Sequence, residues 1–488
     1  MNNTPVDIQF ALISHTNNGK TTLARTLTGI DVGEVRDAAH VTVLSESHVL
    51  LTTTEGDSLQ LWDTPGFGDS VRLLKRLGMS GNPIGWFLRE VLDRFRDRPF
   101  WLSQQALRTA RDAADVVLYL VNSSENPNDA GYLAAEMKIL EWLDKPVVVL
   151  LNQMGPPRPA QEEHAERTRW SQHLGQYRIV REVLALDAFA RCWVHERVFY
   201  EAVGKLIAEP KAEGYARLFA SWEAFNAQRF HEAMRLTAHQ LVAAAQDRQP
   251  IDAENKTLVK SALKAVGLNK GGHQRRHDKA MNSMVERLER SISQTTSHLL
   301  VAHQLDPREA GKINARVQDN FIVRAPIDKA QAGLLGAVIS GAATGLSADL
   351  MAGGLTLGAG ALLGSVVGGL TFAGAAWGFN SVTDRDQPTV QFTDAFLRSL
   401  VVASILRYLA VIHFGRGRGN FVESEAPAFW QNEVEQAVAS HDDALSDLWP
   451  AVRADTGFDD ACKRGQAIIA SIASQTLSRL YPDTVIGF

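Results

Sequence analysis

The chain of 488 residues is long enough to form more than one domain with its own core. Hydrophobic residues make up 45%, charged residues 22%, and the net charge is −5. These values exclude a disordered or broadly basic nucleic-acid-binding chain, so any affinity for anions has to be local. Two distant cysteines, Cys192 and Cys462, exclude a disulfide framework and point to a reducing cytoplasm.

The N-terminus has no basic region leading into an apolar run, so no secretion signal is expected. "DIQFALIS" (7–14) is a short buried-strand pattern, and it runs straight into "HTNNGKTTL" (15–23), which opens a helix. The stretch follows the phosphate-loop pattern GxxxxGK[ST], with Ser14 in place of the first glycine. Such a loop turns successive backbone N–H groups toward phosphate oxygens at the start of a helix. Asn17, Asn18, Gly19, Lys20, Thr21 and Thr22 are the candidate nucleotide-binding residues there. Lys20 would reach the β- and γ-phosphates, and the Thr21 hydroxyl would ligate Mg²⁺. The Ser14 substitution is expected to matter little, because that position shapes the entry to the turn.

"HVTVLSESHVLLTTTEGDSLQLWDTPG" (40–66) reads as two strands joined by a polar turn. The second strand ends in a D-x-x-G arrangement, with Asp63 for the Mg²⁺ shell and Gly66 to sense the γ-phosphate through its N–H. Residues 67–112 are too long for one connection and read as an inserted helical element. "DVVLYLVN" (115–122) and "PVVVLLNQ" (146–153) suit strands buried on both faces. The fold expected for 1–205 is therefore an α/β P-loop G domain, a mostly parallel sheet with helices on both faces.

"HTNNGKTTL" together with "WDTPGFGDS" resembles the Era and TrmE group of small GTPases, over about residues 7–210. The resemblance implies a switch between GTP and GDP states, with Lys20, Asn17, Thr42 and Gly66 as the catalytic set. It implies a switch threonine on Mg²⁺, best matched by Thr42, which also reads as an ordinary strand residue. It implies K⁺ at Asn17, with hydrolysis stimulated by pairing of two G domains. As a residue that tolerates positive φ, Asn17 equally suits a loop-shaping part. Phe67, after the D-x-x-G glycine, cannot orient water as a glutamine does.

The base-reading motif N-K-x-D becomes Asn152, Gln153, Met154 and Gly155, without its acid. Guanine preference then needs another carboxylate, and Asp187, with Ala188 at the Ser-Ala position of the next base loop, is the candidate, although it also reads as a helix N-cap. Without one, relaxed purine specificity that includes ATP is the alternative.

From 206 to 328 the pattern is helical throughout, and from 384 to 488 it is helical again and expected to pack with 206–328. Between them, residues 331–380 hold 13 of the 37 glycines, with pairs four apart such as Gly341/Gly345 and Gly374/Gly378. This segment, 329–383, reads either as a membrane-inserting helical hairpin or as a tight helical pair inside a soluble domain. The membrane reading implies a membrane or membrane-protein partner, and an inner-membrane location through 330–380, for an otherwise cytoplasmic protein. An alternative use of the nucleotide is then assembly of a membrane-remodelling or pore-forming module. An all-α region with a Gly-rich hairpin resembles a C-terminal domain of unknown function fused to Era-like G domains in bacteria. No RNA-binding module is readable.

Overall fold

The computed structural model describes residues 4–28, 45–78, 83–89, 97–155, 157–188, 192–250, 270–320, 323–324, 370–371, 377–380, 389–413, 427–454, 457–482 and 484. The N-terminal part is built on a six-stranded sheet of β1 (Asp7–Ser14), β2 (Glu46–Thr52), β3 (Ser58–Asp63), β4 (Val116–Asn122), β5 (Val147–Asn152) and β6 (Val180–Ala185). The strand order is β2-β3-β1-β4-β5-β6. All neighbours are parallel except β2 against β3, which form the expected hairpin.

Alternation along the central strands feeds both faces. Phe10, Leu12, Leu118 and Leu120 enter one core, while Ile13, Val117, Tyr119 and Val121 enter the other. The second core is covered by α2 (Ser70–Leu77), α3 (Pro83–Arg89), α4 (Arg98–Asp112), α5 (Leu133–Glu141) and α6 (Ala160–Leu174). The first three are the helical insertion expected between 67 and 112. The edge strand β6, "VREVLA", escapes sequence reading because its half-exposed polar residues hide the strand pattern.

The first core does not stop at the sheet. It passes through α1 (Lys20–Thr28) and α7 (Trp193–Gly204) into α8 (Glu209–Gln246), a rod of 38 residues. A run of aromatic contacts marks the path: Phe10 to Phe199 at 6.0 Å, Phe199 to Tyr200 at 5.0 Å, Tyr200 to Trp222 at 5.2 Å. Farther along α8, Phe230 meets Tyr408 of the buried helix α11 (Asp394–Ile412) at 6.1 Å. The remaining helices are α9 (Lys270–Ala302), α10 (Ala310–Asn320), α12 (Phe429–Ala439), α13 (Asp442–Arg453) and α14 (Phe458–Leu480). Helix α14 lies along α8, where Gly465 allows close approach to Ala238 and Val242.

Helix α11 is long and apolar enough to cross a membrane, with mean hydropathy 1.8, but 89% of that stretch is buried inside the fold. It is a core helix of the helical domain.

Two small sheets, missed in the sequence, interrupt this helical region. β7 (Arg248–Pro250), β10 (Trp377–Asn380) and β11 (Thr389–Phe392) pair antiparallel, and β8 (Val323–Arg324) pairs with β9 (Leu370–Thr371). The expected helical hairpin over 329–383 is thus corrected at its C-terminal end: Gly378 sits in a strand, in register with Gln391. The aromatic and β-branched residues of 377–380 and 389–392 favour pairing over a helix there. Apart from 370–371 and 377–380, the Gly-rich hairpin lies outside the described residues.

Candidate nucleotide site

Strand β1 lies between β3 and β4, so the chain leaves it in opposite senses on its two sides. In a sheet of this kind, that switch point opens a crevice at the C-terminal strand ends. The phosphate-loop residues sit there, between Ser14 and the start of α1. Asn17 and Gly19 both have positive φ, 68° and 83°. Asn tolerates this conformation, which accounts for the residue type at 17 on backbone grounds. Gly19 is required twice over, since a Cβ there would lie 2.6 Å from Asn152 Nδ2.

Lys20 is buried, and its Nζ donates to Ser14 Oγ at 2.9 Å. Burial pushes the ammonium downward, while the charges of Asp63 and Glu136 push it back up. The unexpected serine is therefore a partner of the buried loop lysine, a contact that the motif pattern does not reveal. The Thr21 hydroxyl donates to Asp63 Oδ2 at 2.6 Å, which joins the two motifs at one point. Burial raises the Asp63 carboxyl, against the Thr21 hydrogen bond and Lys20, which lower it. Asp63 Oδ1 is buried and has no hydrogen-bond partner. A hydroxyl beside a carboxylate with an orphaned oxygen is a hard-oxygen donor set that fits Mg²⁺. Thr21 and Asp63 would hold the ion, and Thr42 lies outside the described residues.

Gly66 closes over the loop. A Cβ there would lie 2.9 Å from Lys20 Nζ, 3.1 Å from Thr16 Cα and 3.3 Å from Thr16 N. Thr16 Oγ1 donates to the Phe67 carbonyl at 3.2 Å, and Phe67 N–H donates to the Ser14 carbonyl at 2.9 Å. The Phe67 ring is fully buried in the second core.

On the base side, Asn152 is fully buried and ties three loops together. Its Nδ2 donates to the Asn18 carbonyl at 2.8 Å, and its Oδ1 accepts from Ala188 N–H at 2.9 Å. Asn18 Nδ2 donates to the Leu120 carbonyl, and Gln153 Nε2 to the Asn17 carbonyl. Thr26 Oγ1 links α1 to the same assembly through the Ala188 carbonyl, and also bonds the Thr22 carbonyl one turn back in α1. Thr22 itself is a buried residue of the first helical turn. Asp187, also buried, accepts from Met154 N–H at 2.5 Å. Gly155 has φ 78°, with nothing within 4 Å of a Cβ placed on it.

Sequence reading missed one further group. Glu136, on the buried face of α5, has no exposed surface and receives both His15 and the Tyr119 hydroxyl. The signal was present: an acid among Leu133, Met137 and Leu140 on an apolar helix face.

Residues 177–457 match the family described as a domain of unknown function, DUF3482, and residues 9–153 match the family described as a 50S ribosome-binding GTPase. No curated protein matches the chain. Solved structures similar to it include Era in complex with MgGDPNP and a 16S ribosomal RNA fragment, at 17% identity and TM-score 0.32. An Aquifex aeolicus Era variant bound to GDP and AlF₄⁻ gives 18% and 0.32. In both cases the match covers 42% of this chain and 58% of that one. A bacterial selenocysteine-specific elongation factor matches at 17% identity and TM-score 0.25, over 38% of this chain and 26% of that one.

Proposed function

The chain belongs to the DUF3482 family and carries a P-loop GTPase domain at its N-terminal end, and we propose that it is a GTP-hydrolysing switch whose nucleotide state is passed to the helical domain fused to it. The observation that carries this reading is the 2.6 Å contact between Thr21 and Asp63, with Lys20 and Gly66 in the same crevice. Thr21 and Asp63 would hold Mg²⁺ there, which would supply positive charge against the phosphates. Lys20 binds the β- and γ-phosphate oxygens, Gly19 lets the backbone approach them, and the Gly66 N–H reports the γ-phosphate. Asp187 takes over base reading from the missing acid at Gly155, supported by its seat against Met154. Ala188 and Asn152 frame the base pocket. Relaxed specificity that admits ATP is the second reading, favoured by the open space at Gly155.

Asn17 would hold K⁺, and with pairing of two G domains that ion would supply the stimulation that Phe67 cannot. Output goes to a membrane or a membrane protein through 330–380, a reading that rests on the glycine spacing and sparse charge of that segment.

The test is turnover of GTP and of ATP, each in K⁺ and in Na⁺, by wild type and Lys20→Ala. Loss of GTP turnover in the variant, with higher wild-type rates in K⁺ and with GTP, is expected. Unchanged turnover in Lys20→Ala overturns the assignment of the site. Flotation of the full chain with anionic liposomes tests the membrane reading separately.

A further inference from the structure

His15 leaves the phosphate loop on the side opposite α1. Its Nδ1 is 2.7 Å from Glu136 Oε1, and its ring stacks on Tyr132 with centroids 4.2 Å apart and planes 15° from parallel. The other Glu136 oxygen accepts from the Tyr119 hydroxyl at 2.6 Å. Tyr119 projects from β4 into the second core. Both carboxylate oxygens are therefore engaged in an otherwise apolar layer between the sheet and α5. A buried carboxylate is costly to keep, and removing its partners costs more.

What this carboxylate orders is the seam between the two nucleotide loops. The His15 backbone forms a parallel bridge with Phe67, flanked by the Phe67–Ser14 and Thr16–Phe67 hydrogen bonds. Gly66, the γ-phosphate sensor, is the residue next to that bridge and sits against the Thr16 backbone. On the reading proposed above, the α- and β-phosphates would be held by the phosphate loop, whereas the γ-phosphate would need that loop and Gly66 in register.

We propose that Glu136, acting through His15, is a positioning residue that fixes the seam between the phosphate loop and the Asp63–Gly66 loop, and so sets the preference for triphosphate over diphosphate. The inference rests on the GTPase reading above. Calorimetric titration of the full chain with GDP and with a non-hydrolysable GTP analogue, both with Mg²⁺, tests it. His15→Ala is expected to lose about fivefold to tenfold in affinity for the analogue, within the usual range of coupling between sites, and to bind GDP as wild type does. Glu136→Gln keeps an acceptor for Tyr119 and a donor for His15, and retains the preference. A His15→Ala protein that weakens equally for both ligands, or for neither, overturns the inference while wild-type binding upholds the GTPase reading. A folded wild type that binds no guanine nucleotide overturns that reading, and this inference with it.

Discussion

The amide nitrogen of Met154 lies 2.5 Å from the Asp187 carboxylate, so the loop after β5 is closed against the loop after β6. On the proposed reading, Asp187 supplies from this side the carboxylate that Gly155 lacks. Asp187→Ala is expected to reduce the preference for GTP over ATP by about tenfold, because an unmatched guanine N–H costs about 1–3 kcal/mol. Competition of GTP, ATP and XTP for a labelled analogue measures it, and an unchanged ranking would remove Asp187 from base reading.

A methyl group at Gly66 would lie 3.1 Å from Thr16 Cα and 3.3 Å from its nitrogen. The lysine tip nearby can swing aside, but the phosphate-loop backbone cannot. Gly66→Ala is therefore expected to bind GDP normally and to lose most of its GTP turnover. Single-turnover hydrolysis beside GDP titration separates the two effects.

Asn152 is the hub of the site, and its truncation leaves the Asn18 carbonyl and the Ala188 N–H without partners. Buried groups left unpaired cost about 1–3 kcal/mol each. Asn152→Ala should lose stability of that order in urea unfolding and bind every nucleotide more weakly, with no change in base ranking. A variant as stable as wild type would contradict the bracing role.

Much of this was legible in the sequence, and the failures have physical causes. The phosphate loop, the Asp63–Gly66 loop and strands β1 to β5 follow from local patterns, since their chemistry depends on residues close together in the chain. The Ser14–Lys20 bond and the Glu136–His15 pair were not legible. Each joins residues whose types are common elsewhere, and only the fold decides that they meet. The edge strand β6 and the strands at 370–371 and 377–380 failed differently: they are short or half-exposed and lack the periodicity of a buried element.

Two histidines of the helical domain are buried and neutral. His303 accepts at Nδ1 from Arg229, a group that only donates, and His413 donates from Nδ1 to the Leu409 carbonyl while Nε2 accepts from the Tyr481 hydroxyl. Burial pushes both down to about 3. In the unfolded chain each titrates near 6.5, so below that pH the unfolded state binds protons that the folded state refuses. Stability should fall as pH drops from about 6.5 toward 3, by about 1.4 kcal/mol per pH unit for each histidine. His303→Gln and His413→Gln should each flatten the slope of stability against pH in urea unfolding, and an unchanged slope would show that other groups set it.

Helix α8 is bonded to the sheet domain near its N-terminal end. Arg217 on its third turn donates through Nε and Nη2 to the buried Asp57 carboxylate, each at 2.7 Å, in the turn between β2 and β3. Val6 N–H and the Thr53 hydroxyl add to the same acid. Lys211 one turn and a half earlier bonds Asp115 and the Asp7 carbonyl. The Arg217 hydrogen bonds hold Asp57 down at about 2. Since the folded value lies below the unfolded one, the pair contributes fully above about pH 4 and is lost as pH falls toward 2. Arg217→Ala should then lower the melting temperature by several degrees at neutral pH, with the difference from wild type shrinking below pH 4. The same change removes the rigid join between the β2–β3 hairpin and the helical domain. Limited proteolysis near residue 209 should therefore accelerate in the variant, in step with the lost stability. If the join is instead held by the shared core around Tyr215, Leu218 and Trp222, melting falls while the cleavage rate stays that of wild type.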